Sequence, residues 1–265
     1  MLLTQPSICL DPAGSREDVT IGRALFSAPG LLGGQAQRAS VSCASCHTNG
    51  RRNPAFFLAG ISDMPGTADV SSSFFSLARA NTAFDPRPIP DLAMPGKISR
   101  DPGSDALKRF VRGLIVEEFS GNEPSQRQLA GLAAYVRAVR ACPGGATEPV
   151  TLARDIDLVS VSIQAAQLLL GNHDEEGARI AIGGARFRLG LIDERMIGQR
   201  GAALRRQLLQ ASKELAAAPL RSEALGVWLR LFERSIVPRL RRAERGSLYD
   251  PAAVDTWLAR QQRAR

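Results

Sequence analysis

The chain has 265 residues, of which 44% are hydrophobic and only 5% aromatic, and this composition predicts two mostly α-helical domains with aliphatic cores. No apolar run approaches the roughly 20 residues that a membrane-spanning helix needs, so we expect no transmembrane segment. The net charge of +8 is spread over both halves instead of being gathered in one basic arm, which argues against a nucleic-acid partner.

The first predicted helix covers residues 15–26. Its apolar residues recur at roughly helical spacing, and the acidic Glu17 and Asp18 fall in the first turn, where the helix dipole favours negative charge. Glycine and small polar residues dominate the next stretch, residues 28–52, which contains the most informative motif of the chain.

That motif is Cys43-Ala44-Ser45-Cys46-His47, which matches the haem-attachment pattern C-x-x-C-H. Two thiols at this spacing can add to the two vinyl groups of one haem, and the adjacent histidine then meets the iron. A zinc site would need four ligands, and the one other histidine, His173, is far away in the sequence. A thioredoxin-like redox dithiol would need a βαβ setting, which the proline- and glycine-rich residues around the motif do not supply. We therefore expect one covalently bound haem c on Cys43 and Cys46, with His47 ligating its iron.

The segment Ile21-Gly22-Arg23-Ala24-Leu25-Phe26, followed by Pro29, Leu31 and residues 41–47, resembles the haem domains of bacterial dihaem cytochrome c peroxidases. The resemblance extends over residues 19–139 and implies a cytochrome c-like domain. Those peroxidases carry two C-x-x-C-H motifs, whereas this chain has one. Their mechanism passes an electron from one haem to the other, so the resemblance alone does not imply peroxidase activity.

Prolines punctuate residues 53–102 and predict an extended loop region that wraps around the haem. Within it, four phenylalanines are expected to bury the haem: Phe56, Phe57, Phe74 and Phe75.

Two further helices, residues 105–119 and 125–139, are predicted to close the first domain. A Pro-Gly-Gly linker then separates a haem domain, residues 1–146, from a second domain, residues 150–265. Apolar residues in the second domain repeat at steps of three and four along four segments, which predicts an antiparallel four-helix bundle of unknown role.

The sixth iron ligand is expected to be Met94, which lies in a proline-flanked loop where similar single-haem cytochromes present their methionine. Pro95 and Gly96 would allow a sharp turn beside it. The alternatives are Met64, a ligand from the second domain, namely Met196 or His173, or an open site. A methionine ligand favours electron transfer, and an open position permits ligand chemistry.

Cys9 and Cys142 remain after the haem has taken its pair of cysteines. They flank the first domain, and the first and last helices of a cytochrome c fold pack together. A Cys9–Cys142 disulfide is therefore expected, and the alternative is two unpaired thiols. Residues 1–10 lack the pattern of an export signal. A periplasmic or otherwise exported location is therefore inferred from haem attachment.

These features together predict a periplasmic monohaem c-type cytochrome that transfers single electrons to or from a redox protein partner. Two alternatives stay open. One is a peroxidase-like or ligand-activating enzyme with an open sixth position, and the other is a haem-dependent sensor or adaptor whose bundle binds a partner. The sequence does not indicate the oligomeric state, the donor and acceptor, or the reduction potential.

Overall fold

The computed structural model describes residues 3–11, 15–94, 96, 98–143 and 147–263, and the fold is mostly α-helical, as predicted. The α-helices are Arg16–Phe26 (α1), Gly34–Arg38 (α2), Cys43–Cys46 (α3), Ala106–Gly113 (α4), Gln126–Ala138 (α5), Leu152–Gly171 (α6), Glu175–Arg195 (α7), Gly198–Ala217 (α8), Ser222–Leu231 (α9), Val237–Ala243 (α10) and Pro251–Arg263 (α11). Within the described part of the chain, no helix combines the length and the apolar character required to cross a membrane.

Short strands tie distant parts of the chain together in antiparallel pairs. The strands are Thr4–Pro6 (β1), Cys9–Leu10 (β2), Thr67–Ala68 (β3), Arg87–Pro88 (β4), Val139–Arg140 (β5) and Thr147–Pro149 (β6). Strand β1 pairs with β6, β2 with β5, and β3 with β4. The two N-terminal strands therefore pair with the chain on either side of the predicted linker. Residues 144–146 of that linker lie outside the described residues.

Helix α1 begins close to the predicted start, and the Ser15 hydroxyl caps it by accepting a hydrogen bond from the Asp18 backbone N–H at 3.3 Å. It packs against α5 at a very close crossing. A Cβ atom on Gly22 would lie 2.0 Å from the backbone oxygen of Gly131, so the helices can approach this closely only because both residues lack side chains. The expected packing of the first and closing helices is thus found.

Both ends of α5 are capped. At its start the Ser125 hydroxyl accepts a hydrogen bond from the backbone N–H of the third helical residue. At its end the Arg100 guanidinium donates to the carbonyl oxygens of Val136 and Arg137, at 2.8 and 2.6 Å, and also to that of Leu92, at 2.6 Å. Arg100 therefore fixes the loop containing Leu92 against the C-terminal end of α5.

The predicted loop region, residues 53–102, contains only the two-residue pair β3–β4 among its described residues. The next predicted helix is found as α4, which continues into a π-helical turn at Leu114–Glu118. Cys9 and Cys142 form a disulfide with a Cα–Cα distance of 5.3 Å, which confirms the predicted pairing. That bond lies beside the β2–β5 pair and locks the N-terminal segment onto the end of α5.

All four helices predicted in the second half are present as α6, α7, α8 and the run from α9 through the π-helical turn Phe232–Ile236 into α10. Helix α11 was not predicted. Its start nevertheless has a readable signal, because Pro251 occupies the first helical position and the Asp250 carboxylate accepts a hydrogen bond from the Ala252 backbone N–H at 3.1 Å.

Helix α1 packs against α6 as well as α5, so the buried apolar side chains of both halves form one continuous cluster. An ion pair between Arg23 and Asp157, 2.7 Å apart, joins α1 to α6 at the edge of this contact. The division into domains at residues 146 and 150 stays a prediction, since the two halves share this apolar core.

Candidate functional site

The C-x-x-C-H motif forms the one-turn helix α3 and the residue after it. The Ser42 backbone N–H donates to the Ser45 hydroxyl at 3.0 Å, and the His47 backbone N–H donates to the Cys43 carbonyl at 2.8 Å. Cys43, Cys46 and His47 are spaced i, i+3 and i+4, so the turn brings the two thiols and the imidazole to one face.

A tight left-handed turn follows the motif. Asn49 and Gly50 adopt φ angles of 56° and 74°. A Cβ on Gly50 would lie 2.4 Å from a methyl carbon of Val139, so glycine is required there by both conformation and space. The Asn49 side chain donates to the Pro6 carbonyl at 2.7 Å and thereby attaches the turn to β1.

Asn53 hydrogen-bonds to the C-terminal end of α3. Its side-chain amide donates to the Ser45 carbonyl at 2.8 Å, and its backbone N–H donates to the Cys46 carbonyl at 3.0 Å. These bonds use two carbonyls that a single helical turn leaves without intrahelical partners. Asn53 therefore fixes the orientation of the Cys46 end of α3.

The thiols and the imidazole face an apolar cavity of about 300 Å³. Its apolar lining residues are Phe26, Leu32, Val41, Phe56, Ala68, Val70, Phe75, Pro90, Leu92, Ile98, Leu107, Phe110, Val111, Leu114, Ile115, Phe119, Leu132 and Val136. In the described part of the chain, Ser42 is the one other polar lining residue besides Cys43, Cys46 and His47. Such a space suits a large apolar group with a few fixed polar contacts.

Desolvation controls the protonation of all three motif side chains. Burial raises the pKa of the Cys43 and Cys46 thiols to about 12 and lowers the pKa of His47 to about 4. By surface area the three are only half-buried, so the surface that they expose is the wall of the cavity and not the outside of the protein. At neutral pH the site therefore presents two uncharged thiols and a neutral imidazole.

The His47 ring has one buried nitrogen, Nδ1, without an aligned hydrogen-bond partner. The Pro90 carbonyl lies close enough to oppose the burial-induced fall in the His47 pKa, and the charge of Asp91 acts in the same direction. A neutral imidazole at an apolar cavity, beside two thiols at vinyl-addition spacing, fits the donor set of a covalently attached haem.

Asp91 is held beside the motif by an ion pair with Arg51. The Arg51 guanidinium makes three contacts of 2.8 to 2.9 Å with both carboxylate oxygens, and the two side chains are 12% and 20% exposed. Burial alone would raise the pKa of Asp91, but hydrogen bonds from Arg51 and from the Ala93 backbone hold it below its usual value. The pair fastens the chain segment that contains Pro90 to the end of the motif.

The structure does not bring the predicted sixth ligand to the cavity. Met94 is 52% exposed and is not a lining residue, although Leu92 and Ile98 on either side of it both line the cavity. Met64 is 58% exposed. Met196, at the C-terminal end of α7, is buried away from the cavity, and Pro95 lies outside the described residues. Ligation by Met94 stays a prediction.

Two of the four predicted phenylalanines line the cavity. Phe56 and Phe75 are buried there, whereas Phe57 and Phe74 are exposed, so the expectation that all four bury the haem is wrong for those two. Within each adjacent pair the two side chains therefore point to different sides of the chain, although Phe74 and Phe75 lie in a hydrogen-bonded turn and not in a strand.

Sequence reasoning missed the contribution of α4, which lines the cavity with Leu107, Phe110 and Val111. Their helical spacing was a readable signal for an apolar face, but a sequence does not show whether such a face covers core or cavity. The Arg51–Asp91 pair was also missed, because its partners lie 40 residues apart.

Comparisons with protein-family models, with curated proteins and with solved structures find no match to this chain. The likeness to dihaem peroxidase haem domains therefore rests on the residues of this chain alone.

Proposed function

We propose that this protein is a monohaem c-type cytochrome that transfers single electrons, with haem bound covalently through Cys43 and Cys46 and ligated by His47. The observation that carries the proposal is that the two thiols and the imidazole share one face of α3 and open onto an apolar cavity. On this proposal, residues 1–146 form a cytochrome c-like domain and residues 150–265 a helical bundle that packs against it.

The bound haem would supply the one-electron chemistry of its iron. The residues of the chain would attach, orient and enclose it. Protonated thiols at Cys43 and Cys46 retain the hydrogens that addition across a vinyl group requires. Asn53 and the Arg51–Asp91 pair would hold the motif in place, and the apolar walls would exclude water.

The surroundings of the cavity support an exported electron carrier. Val70 and Phe110 line the cavity and are also exposed at the protein surface, so they mark its opening and a place where a redox protein could approach the haem edge. The Cys9–Cys142 disulfide fits an oxidising compartment such as the periplasm.

Covalent attachment is tested by expressing the protein with a haem-attachment system and measuring its intact mass. We expect a mass increase of one haem and colour that survives acid-acetone extraction. Replacing Cys43 and Cys46 together with Ala should abolish both, whereas the matched control Ala44→Ser should keep them. A bare polypeptide mass for the unaltered protein would refute the proposal. Sharp, reversible changes in the optical spectrum on reduction and reoxidation then test electron transfer.

A second candidate function is favoured by the exposed position of Met94, which lies outside the cavity wall. If the sixth position of the iron is open, the protein is a ligand-binding or peroxidase-like haem protein. Addition of carbon monoxide to the reduced haem protein separates the two candidates. Rapid, complete binding supports the open site, and refusal of the ligand supports the electron carrier.

A further inference from the structure

A second cavity, of about 430 Å³, lies on the other side of the motif loop. The side chains of Cys46, His47 and Phe56 line the first cavity, whereas Thr48 and Asn53 line the second. The remaining walls of the second cavity come from β1, β6 and the residue after it, α6, α7, the loop before α11, and Pro54 and Ala55. Its volume lies within the range of roughly 300 to 1,000 Å³ that is usual for small-molecule sites, and such sites often form where parts of a protein meet.

The inner wall of this cavity carries the buried carboxylate of Asp155, which is 6% exposed. One carboxylate oxygen accepts a hydrogen bond from Arg188 at 2.9 Å, and the other accepts one from the Tyr249 hydroxyl at 2.5 Å. The carboxylate is therefore engaged on both oxygens, and it neutralises the charge of Arg188.

Arg195 lies on the same wall in a different situation. Among the described residues, no carboxylate comes within salt-bridge distance of it. Its guanidinium lies 5.1 Å from the centre of the Tyr249 ring and makes one long hydrogen bond, of 3.4 Å, to the Leu248 carbonyl. Most of its five N–H donors therefore remain free for a ligand.

We propose that this cavity binds a small organic acid, with Arg195 receiving the carboxylate. The planar guanidinium matches a carboxylate in two parallel hydrogen bonds, and the aliphatic side chains of Val150 and Leu191 offer contact to a short carbon chain. Glu194, exposed at the rim, can face an ammonium group. A plain dicarboxylic acid and an amino acid share the recognised carboxylate, and the experiment distinguishes them.

The test is calorimetric titration of the full-length protein with succinate, with glutamate and with inorganic phosphate. We expect one carboxylate probe to bind at a single site, with glutamate the tighter one if Glu194 contributes. Arg195→Gln should weaken binding at least tenfold, the loss expected for a charge-assisted bidentate contact. The matched control, Arg230→Gln, changes an exposed arginine on α9 that does not line the cavity and should leave affinity unchanged.

A second variant keeps the test informative if Arg195→Gln fails to fold. Thr4→Trp enlarges an exposed residue at the rim of the cavity without changing any charge, and it should also abolish binding. The inference is overturned if neither carboxylate binds, if binding survives both variants, or if phosphate binds equally well, which would indicate an adventitious ion only. The site needs no haem, so repeating the titration on protein lacking Cys43 and Cys46 separates this result from the fate of the proposed function.

Discussion

Replacing glycine with alanine should lower the free energy of unfolding at Gly22, where α1 crosses α5 closely, and raise it at Gly183, which has open space around it. In Gly22→Ala the new Cβ would lie 2.0 Å from the Gly131 backbone oxygen, which cannot move as a flexible side chain could. Overpacking of this kind costs up to about 3 kcal/mol. The gain in helix propensity returns about 1 kcal/mol. The free energy of unfolding should therefore fall by about 2 kcal/mol.

Gly183→Ala is the matched control, because Gly183 lies exposed in the middle of α7 and a Cβ there meets nothing within 4 Å. Only the propensity gain applies, so the free energy of unfolding should rise by about 0.5 to 1 kcal/mol. Urea unfolding followed by circular dichroism measures both changes. If Gly22→Ala unfolds at the midpoint of the parent protein while Gly183→Ala is stabilised, the helices do not cross as closely as described.

Three further predictions concern the candidate site and its surroundings. Asp91→Asn should lower the free energy of unfolding by about 1.5 to 3 kcal/mol in urea, because it leaves the largely buried Arg51 guanidinium without its anion; an unchanged midpoint would mean that the pair is solvated. Cys142→Ser should lower it by about 2 to 5 kcal/mol by removing a long-range cross-link, and the parent protein treated with reductant should show the same loss. If Met94 ligates the iron, Met94→Ala in the haem-loaded protein should admit carbon monoxide and lower the reduction potential. The control Met64→Ala should do neither. Identical spectra for Met94→Ala and the parent protein would exclude Met94 as the ligand.

The sequence predicted helices well wherever local rules decide the structure. The helices predicted over residues 15–26 and 125–139 are found as α1 and α5, and Ser15 and Ser125 cap them, because N-cap preference depends only on neighbouring backbone groups. The C-x-x-C-H motif was readable for the same reason, since its three functional side chains lie within one helical turn.

Features that depend on distant partners were not predictable in this way. The choice of Phe56 over Phe57 for the cavity depends on where the loop meets α4, and no local rule determines that. Met94 likewise lies exposed two residues after Leu92, whose carbonyl accepts a hydrogen bond from the distant Arg100, and no local pattern indicates that contact. The cavity shared by the motif loop and α7 depends on packing between the two halves of the chain.

If the protein is exported as proposed, the Cys9–Cys142 disulfide imposes an order on its assembly. A chain that leaves the cytoplasm N-terminus first delivers Cys9, then Cys43 and Cys46, and only much later Cys142, because the native partners are 133 positions apart. Until then an oxidant can join Cys9 to either motif thiol, and such a non-native pair would occupy a haem-attachment thiol. On the proposed function, correct maturation would therefore require that Cys43 and Cys46 are kept as thiols until Cys142 has emerged.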